Sequence, residues 1–167
     1  SLMNDTLTGG NKADDLYGMW GDDTLIGGKG NDWLEGGAGF DTYKYATGDG
    51  FDTILDTDGQ GSIVIDNAPA LAGGAQYGDA RVHRDASGHT YVDVGSVGSS
   101  VKGMIVDGNI SVQTWQAGNL GINMTATPVA DAIPATTKDI KGDPIIHTAV
   151  IAPGGAGVGW AIISTVI

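Results

Sequence analysis

A nine-residue period in the first quarter of the chain constrains the fold more than any other feature. The sequence falls into rows at 9–17, 18–26, 27–35 and 36–44, with a partial row at 4–8 in register ahead of them. Asp recurs at the sixth place, as Asp5, Asp14, Asp23, Asp32 and Asp41. A large apolar residue recurs at the eighth, as Leu7, Leu16, Leu25, Leu34 and Tyr43. Glycine opens every full row. A flexible acidic linker has no reason to hold two columns in phase over five rows, so the segment reads as a stacked repeat.

Each row has two parts. Six residues turn the chain and three form a short strand. Strand side chains alternate between faces, so only the middle residue of the three points inward, which accounts for the Leu/Tyr column. Glycines permit the positive φ angles and close backbone approach of the turns. Turn carbonyls can then face a cation, and the sixth-place Asp adds a charged oxygen. All-oxygen sites of this kind suit Ca²⁺, a hard cation that takes six to eight such ligands.

The pattern G-G-x-G-x-D-x-U-x resembles the RTX (repeats-in-toxin) family of calcium-binding nonapeptide repeats. The resemblance implies a right-handed parallel β-roll in which two rows make one coil. Each ion then sits between like-sided turns of successive coils, and ligands pair eighteen residues apart. The expected pairs are Asp5 with Asp23, Asp14 with Asp32, and Asp23 with Asp41, so that Asp23 is shared. Turn carbonyls are expected from Gly9, Asn11, Gly18, Trp20, Gly21, Gly27, Lys29, Gly30, Gly36 and Gly39. The next matching aspartate, Asp52, follows Asp41 by eleven residues, a row two residues longer, similar to the closing turn of such arrays. Asp32 with Asp52 is a further expected pair, for three to four Ca²⁺ in all. Asp49, Asp56 and Asp58 are additional ligand candidates with less positional support. An EF-hand over Asp56-Thr-Asp58-Gly59 is excluded, because its first and twelfth ligand places are Ile54 and Ile65.

One inward apolar residue per nine cannot offset the entropy of ordering the turns, and the aspartates repel one another. The segment is therefore expected to be disordered without Ca²⁺ and to fold on binding it. Charge follows the same division. Residues 1–60 hold eleven Asp and one Glu against three Lys, a net −9 of the chain's −12. Nothing clusters Lys or Arg as nucleic acid or an anionic membrane would require. The chain has no cysteine, which fits a secreted bacterial protein that uses ions as staples. Ser1-Leu-Met-Asn-Asp runs into the repeat with no signal peptide, which reads as a fragment with further repeats upstream.

The expected architecture is all-β: an RTX roll at 1–61, a small antiparallel β cap at 62–124, and a linker with an apolar tail at 125–167. Residues 62–66 read as a strand leaving the roll and 67–80 as a loop. Segments 81–84 and 90–94 flank Asp85-Ala-Ser-Gly88 as a hairpin. Segments 101–106 and 109–114 flank Asp107-Gly108, the strongest hairpin signal in the chain. Residues 115–122 close the unit, with Trp115 in its core. The tail from Pro144 carries no Asp, Glu, Lys or Arg, but Pro153-Gly-Gly-Ala-Gly157 divides it into arms too short to span a membrane. A hairpin of 145–152 with 158–167 fits better, as a docked element, a self-association segment or part of a secretion signal.

The expected function is that of a non-enzymatic calcium-binding module of a larger secreted bacterial protein, such as a toxin. The resemblance implies type I secretion machinery and upstream domains as partners, with folding driven by extracellular Ca²⁺. Two alternatives are self-processing at Asp143-Pro144 or another hydrolytic activity, and glycan binding or adhesion through outward-facing Trp20 and Trp33. His83, His89 and His147 lack metal-ligand spacing, and neither H-E-x-x-H nor G-x-S-x-G is present.

Overall fold

The computed structural model describes residues 3–94, 103–128, 137–138 and 144–145. Successive rows of the repeat place their strands alternately in two parallel sheets. Strands Thr6–Thr8 (β1), Thr24–Ile26 (β3), Asp41–Tyr45 (β5) and Gly61–Ile65 (β7) form one sheet in that order. Strands Asp15–Trp20 (β2), Trp33–Ala38 (β4) and Asp52–Leu55 (β6) are neighbours in the other. Leu7 pairs with Leu25, Leu25 with Tyr43, and Leu16 with Leu34, so one coil is two rows. Alternation along each strand sends the eighth-place residue inward. Leu25, Leu34, Tyr43, Ile54 and Ile63 are buried; Leu7 and Leu16, in the first coil, are partly so.

The segment read from sequence as a strand leaving the roll is its outermost strand. Asp41 pairs with Gly61, Tyr43 with Ile63 and Tyr45 with Ile65, all parallel. Two extra residues between Tyr45 and Asp52 stretch the coil step to twenty, and nine-residue spacing then resumes from Ile54 to Ile63. Gly61 in the aspartate column hides this last row from the pattern.

Beyond the roll the chain turns antiparallel. Ala75–Tyr77 (β8), Asp79–Arg84 (β9), Thr90–Asp93 (β10), Gly103–Val106 (β11), Ile110–Gln113 (β12) and Thr125–Pro128 (β13) join the second roll sheet, giving the order β13-β8-β9-β10-β11-β12-β6-β4-β2. Both expected hairpins form, β9 with β10 and β11 with β12. At the second, Asp107 and Gly108 adopt φ of 50° and 75°, the left-handed geometry that matches strand twist. Part of the segment read as a loop is β8.

The cap does more than abut the roll. β12 lies parallel to β6, with Ile110 opposite Asp52 and Gln113 opposite Leu55, and so supplies the next strand of the sheet. An open edge is thereby paired. On the other sheet, the Leu71 N–H donates to the Ile63 carbonyl at 2.8 Å. A 3₁₀ turn at Asn119–Gly121 places the Leu120 N–H 2.8 Å from the Gly59 carbonyl. Trp115, Leu120 and Ile122 are buried there. Ile54 sits between β4 and β12 and is 2% exposed. Ile54→Ala is expected to lower unfolding stability by about 2–5 kcal/mol in calcium-containing buffer, read by urea denaturation. An unchanged midpoint would mean that this seam is not packed.

Ser1–Val129 forms one compact unit and Ala130–Ile167 a second. The second holds a short antiparallel pair, Thr137–Lys138 (β14) with Pro144–Ile145 (β15). His147, the Asp143 side of the Asp-Pro bond and the tail hairpin beyond Ile145 lie outside the described residues. Among the described residues no helix is long and apolar enough to cross a membrane.

Candidate metal centre

The turns between strands fall into two stacks. One comprises turns 9–14, 27–32 and 46–52; the other comprises 18–23, 36–41 and 56–61. Within each stack the sixth-place aspartates form a ladder. Asp23 Oδ1 accepts the Asp5 N–H at 2.7 Å and Asp41 Oδ1 accepts that of Asp23 at 2.9 Å. Asp32 Oδ1 accepts the Asp14 N–H at 2.9 Å and Asp52 Oδ1 accepts that of Asp32 at 3.1 Å. Each carboxylate thus reaches back to the preceding coil, in the four pairings expected from sequence.

The second carboxylate oxygens decide what the turns can hold. Asp23, Asp32 and Asp41 are 1%, 2% and 0% exposed, and the Oδ2 of each is buried with no hydrogen-bond partner among the described residues. Three buried anionic oxygens without donors are costly unless a cation meets them. Backbone oxygens converge on the same places. A Cβ added to Gly18 would fall 2.6 Å from the Gly36 carbonyl oxygen and against Asp23 Oδ2. A Cβ on Gly9 would strike the Gly27 carbonyl and lie 2.8 Å from Asp14 Oδ2. Among the described residues no three His, Cys, Asp or Glu side chains converge; the groups that do meet at these turns are carboxylate and carbonyl oxygens. That set fits a hard divalent cation such as Ca²⁺.

The other expected ligands are placed less uniformly. A Cβ added to Gly39 or Gly50 would strike the carbonyl of Gly21 or Gly30 in the preceding coil. The Lys29 N–H donates to the Gly10 carbonyl at 2.9 Å. Asn11 lines a groove over turn 9–14 with Gly9, Gly10, Lys12 and Asp14, whose Oδ2 accepts the Gly10 N–H at 2.6 Å. Trp20 ends β2 and is 59% exposed. The Asp49 carboxylate is not brought into the ladder. It accepts the Ala46 N–H at 2.8 Å and closes its own turn.

Residues 2–34 and 12–43 match the model of the RTX calcium-binding nonapeptide repeat, a family unit of four copies. Residues 2–43 are thus similar to RTX repeats. Among solved structures, the chain is similar to the solution structure of the AlgE6R3 subunit from the Azotobacter vinelandii mannuronan C5-epimerase. That match is 23% identical, covers 93% of this chain and 92% of that one, and has a TM-score of 0.36. No curated protein matches the chain.

The RTX rows carry a second ladder that sequence reasoning missed. Asn4 Oδ1 accepts the Asp22 N–H at 2.9 Å, Asp22 Oδ1 that of Phe40 at 2.7 Å, and Asn31 Oδ1 that of Phe51 at 3.1 Å. These fifth-place side chains reach forward to the next coil, opposite in sense to the sixth-place aspartates. The signal was the Asn or Asp just ahead of the column residue in Asn4-Asp5, Asp22-Asp23 and Asn31-Asp32; Ala13 and Phe40 interrupt it.

Burial raises the Asp41, Asp52 and Asp56 carboxyls above the ordinary 3.8, Asp52 and Asp56 to about 6. Neighbouring carboxylates add to the shift, and hydrogen bonds to each group oppose it. A folded-state pKa raised above the unfolded one means that the native roll binds more protons between the two values. Without a cation, stability should therefore rise as pH falls through about 6 toward 3.8. Circular dichroism in chelator checks this; a β signal that weakens across that window would contradict it.

Proposed function

We propose that the RTX array binds Ca²⁺ between the like-sided turns of successive coils, at the pairs Asp5/Asp23, Asp14/Asp32, Asp23/Asp41 and Asp32/Asp52. The observation that carries this reading is the unpartnered, buried Oδ2 of Asp23, Asp32 and Asp41. A divalent ion offers each of them a counter-charge that no side chain among the described residues provides, and the turn carbonyls of Gly9, Gly18, Gly27, Gly36 and their neighbours complete its shell. Ion binding is then coupled to folding, because the mutual repulsion of the aspartates opposes the stack until cations enter it. The module serves a larger secreted bacterial protein. It leaves the cell unfolded where Ca²⁺ is scarce, by type I export, and folds outside where Ca²⁺ is abundant.

The test is a Ca²⁺ titration from a chelated start, followed by far-UV circular dichroism and Trp fluorescence. A cooperative coil-to-β transition with a midpoint of about 10⁻⁴–10⁻³ M is expected, the range of extracellular calcium modules. A chain that is fully β-structured in chelator would remove the folding switch and leave any ions accessory.

A further inference from the structure

We propose that the last turn pair, 36–41 with 56–61, closes without a cation, and that the Tyr43 hydroxyl and the Asp56 carboxylate form the link that an ion supplies elsewhere in the stack. The inference rests on the calcium reading of the other pairs. Three departures from the row pattern meet at this one place. Gly61 stands opposite Asp41 in the aspartate column, Asp56 replaces the glycine that opens a row, and Tyr43 replaces leucine in the inward column.

The three departures compensate one another. With no carboxylate at residue 61, the Asp41 N–H turns to the Gln60 carbonyl at 3.3 Å. The Tyr43 ring fills the core at 1% exposure, and its hydroxyl reaches back to the start of turn 36–41. There it accepts the Gly36 N–H at 3.0 Å and donates to Asp56 Oδ2 at 2.9 Å. Asp56 is 4% exposed, and its Oδ1 accepts the Gly59 N–H at 2.7 Å. Both of its oxygens are therefore satisfied by protein donors, unlike Oδ2 of Asp23, Asp32 or Asp41, the last of which is left to the ion of the Asp23/Asp41 pair in the calcium reading.

The surroundings of the two opening glycines make the same contrast. Asp23 Oδ2 and the Gly36 carbonyl of the next coil crowd the missing Cβ of Gly18. Asp41 Oδ2 and the Tyr43 hydroxyl crowd that of Gly36. A neutral hydroxyl thus stands beside Gly36 where a carbonyl ligand stands beside Gly18. It brings a proton donor into contact with Asp56, a role no leucine in the column can perform.

The experiment counts ions on the full chain at saturating Ca²⁺ by native mass spectrometry, and follows amide exchange at Gly36 by NMR. Asp56→Asn should bind as many ions as the unaltered chain, while Asp23→Asn should bind fewer. Tyr43→Phe should also keep the full count, yet exchange the Gly36 amide roughly five- to tenfold faster, as expected for one lost hydrogen bond. Loss of one ion in Asp56→Asn would overturn the proposal and make this pair a further cation site. An unchanged Gly36 exchange rate in Tyr43→Phe would overturn the link itself. Should the unaltered chain take up no Ca²⁺, the calcium reading falls, and Gly36 exchange still decides the Tyr43–Asp56 link. Asp56→Asn retains the core volume, so its ion count stands even where Tyr43→Phe does not fold.

Discussion

Asp23→Ala is expected to raise the calcium midpoint for folding by about tenfold or more, and Asp5→Ala by only a few-fold. Asp23 takes part in two rungs. Its Oδ1 holds the Asp5 N–H, its own N–H is held by Asp41 Oδ1, and its buried Oδ2 has no protein donor. Losing the carboxylate strands the Asp5 amide and removes a ligand from two proposed ion positions. Asp5 is partly exposed and belongs to one rung only. Each lost charge-assisted bond is worth about 1.5–3 kcal/mol, and tenfold in affinity corresponds to about 1.4. Parallel calcium titrations of the two variants decide the point; coincident midpoints would refute the eighteen-residue pairing.

Gly18→Ala should be nearly as damaging, and Gly10→Ala almost silent. Both glycines belong to row openings and neither needs a positive φ, so the difference is steric. The new Cβ at Gly18 would meet the Gly36 carbonyl oxygen at 2.6 Å and press on Asp23 Oδ2. Neither a carbonyl nor an inter-coil carboxylate can withdraw without opening the stack. The Cβ at Gly10 has Asp14 Oδ2 as its nearest neighbour at 3.6 Å, an ordinary contact. Gly18→Ala is therefore expected to lose one ion and to shift the calcium midpoint by at least about tenfold. A Gly10→Ala variant that loses as much would show that propensity in the turns, not room for an ion, sets the requirement for glycine.

The parts legible in sequence were those written as short-range periods. The inward column from Leu7 to Tyr43 gave the coil step, because strand alternation leaves a three-residue strand only one inward place. The aspartate column gave the four rungs. Asp107-Gly108 gave its hairpin, because few dipeptides accept two successive left-handed φ values. What stayed hidden had no period. Ala13 and Phe40 break the fifth-place column, so the forward ladder from Asn4, Asp22 and Asn31 left only a partial trace. The row through Gly61 lost its aspartate and its opening glycine together and follows a row two residues longer, and so read as an exit strand. Tyr43 was counted for its ring alone, since a hydroxyl's partner twenty residues from Gly36 is a property of the coil and not of the row. The parallel pairing of β12 with β6 joins residues nearly sixty positions apart, and a hairpin signal says nothing about which edge the hairpin will meet.

The way the cap is attached separates the length of the solenoid from the problem of ending it. The cap enters the ladder at β6 and meets the last turn through the Gly59 carbonyl, whereas β1 to β4 find their registers among other rows. Row number is accordingly a free variable. Two more rows ahead of Asn4 would lengthen the stack by one strand spacing, about 4.8 Å, and add two carboxylates without altering any contact that closes the far end. The architecture is a ruler with one fixed terminus, in which reach and cation capacity scale together while the stopper is made once.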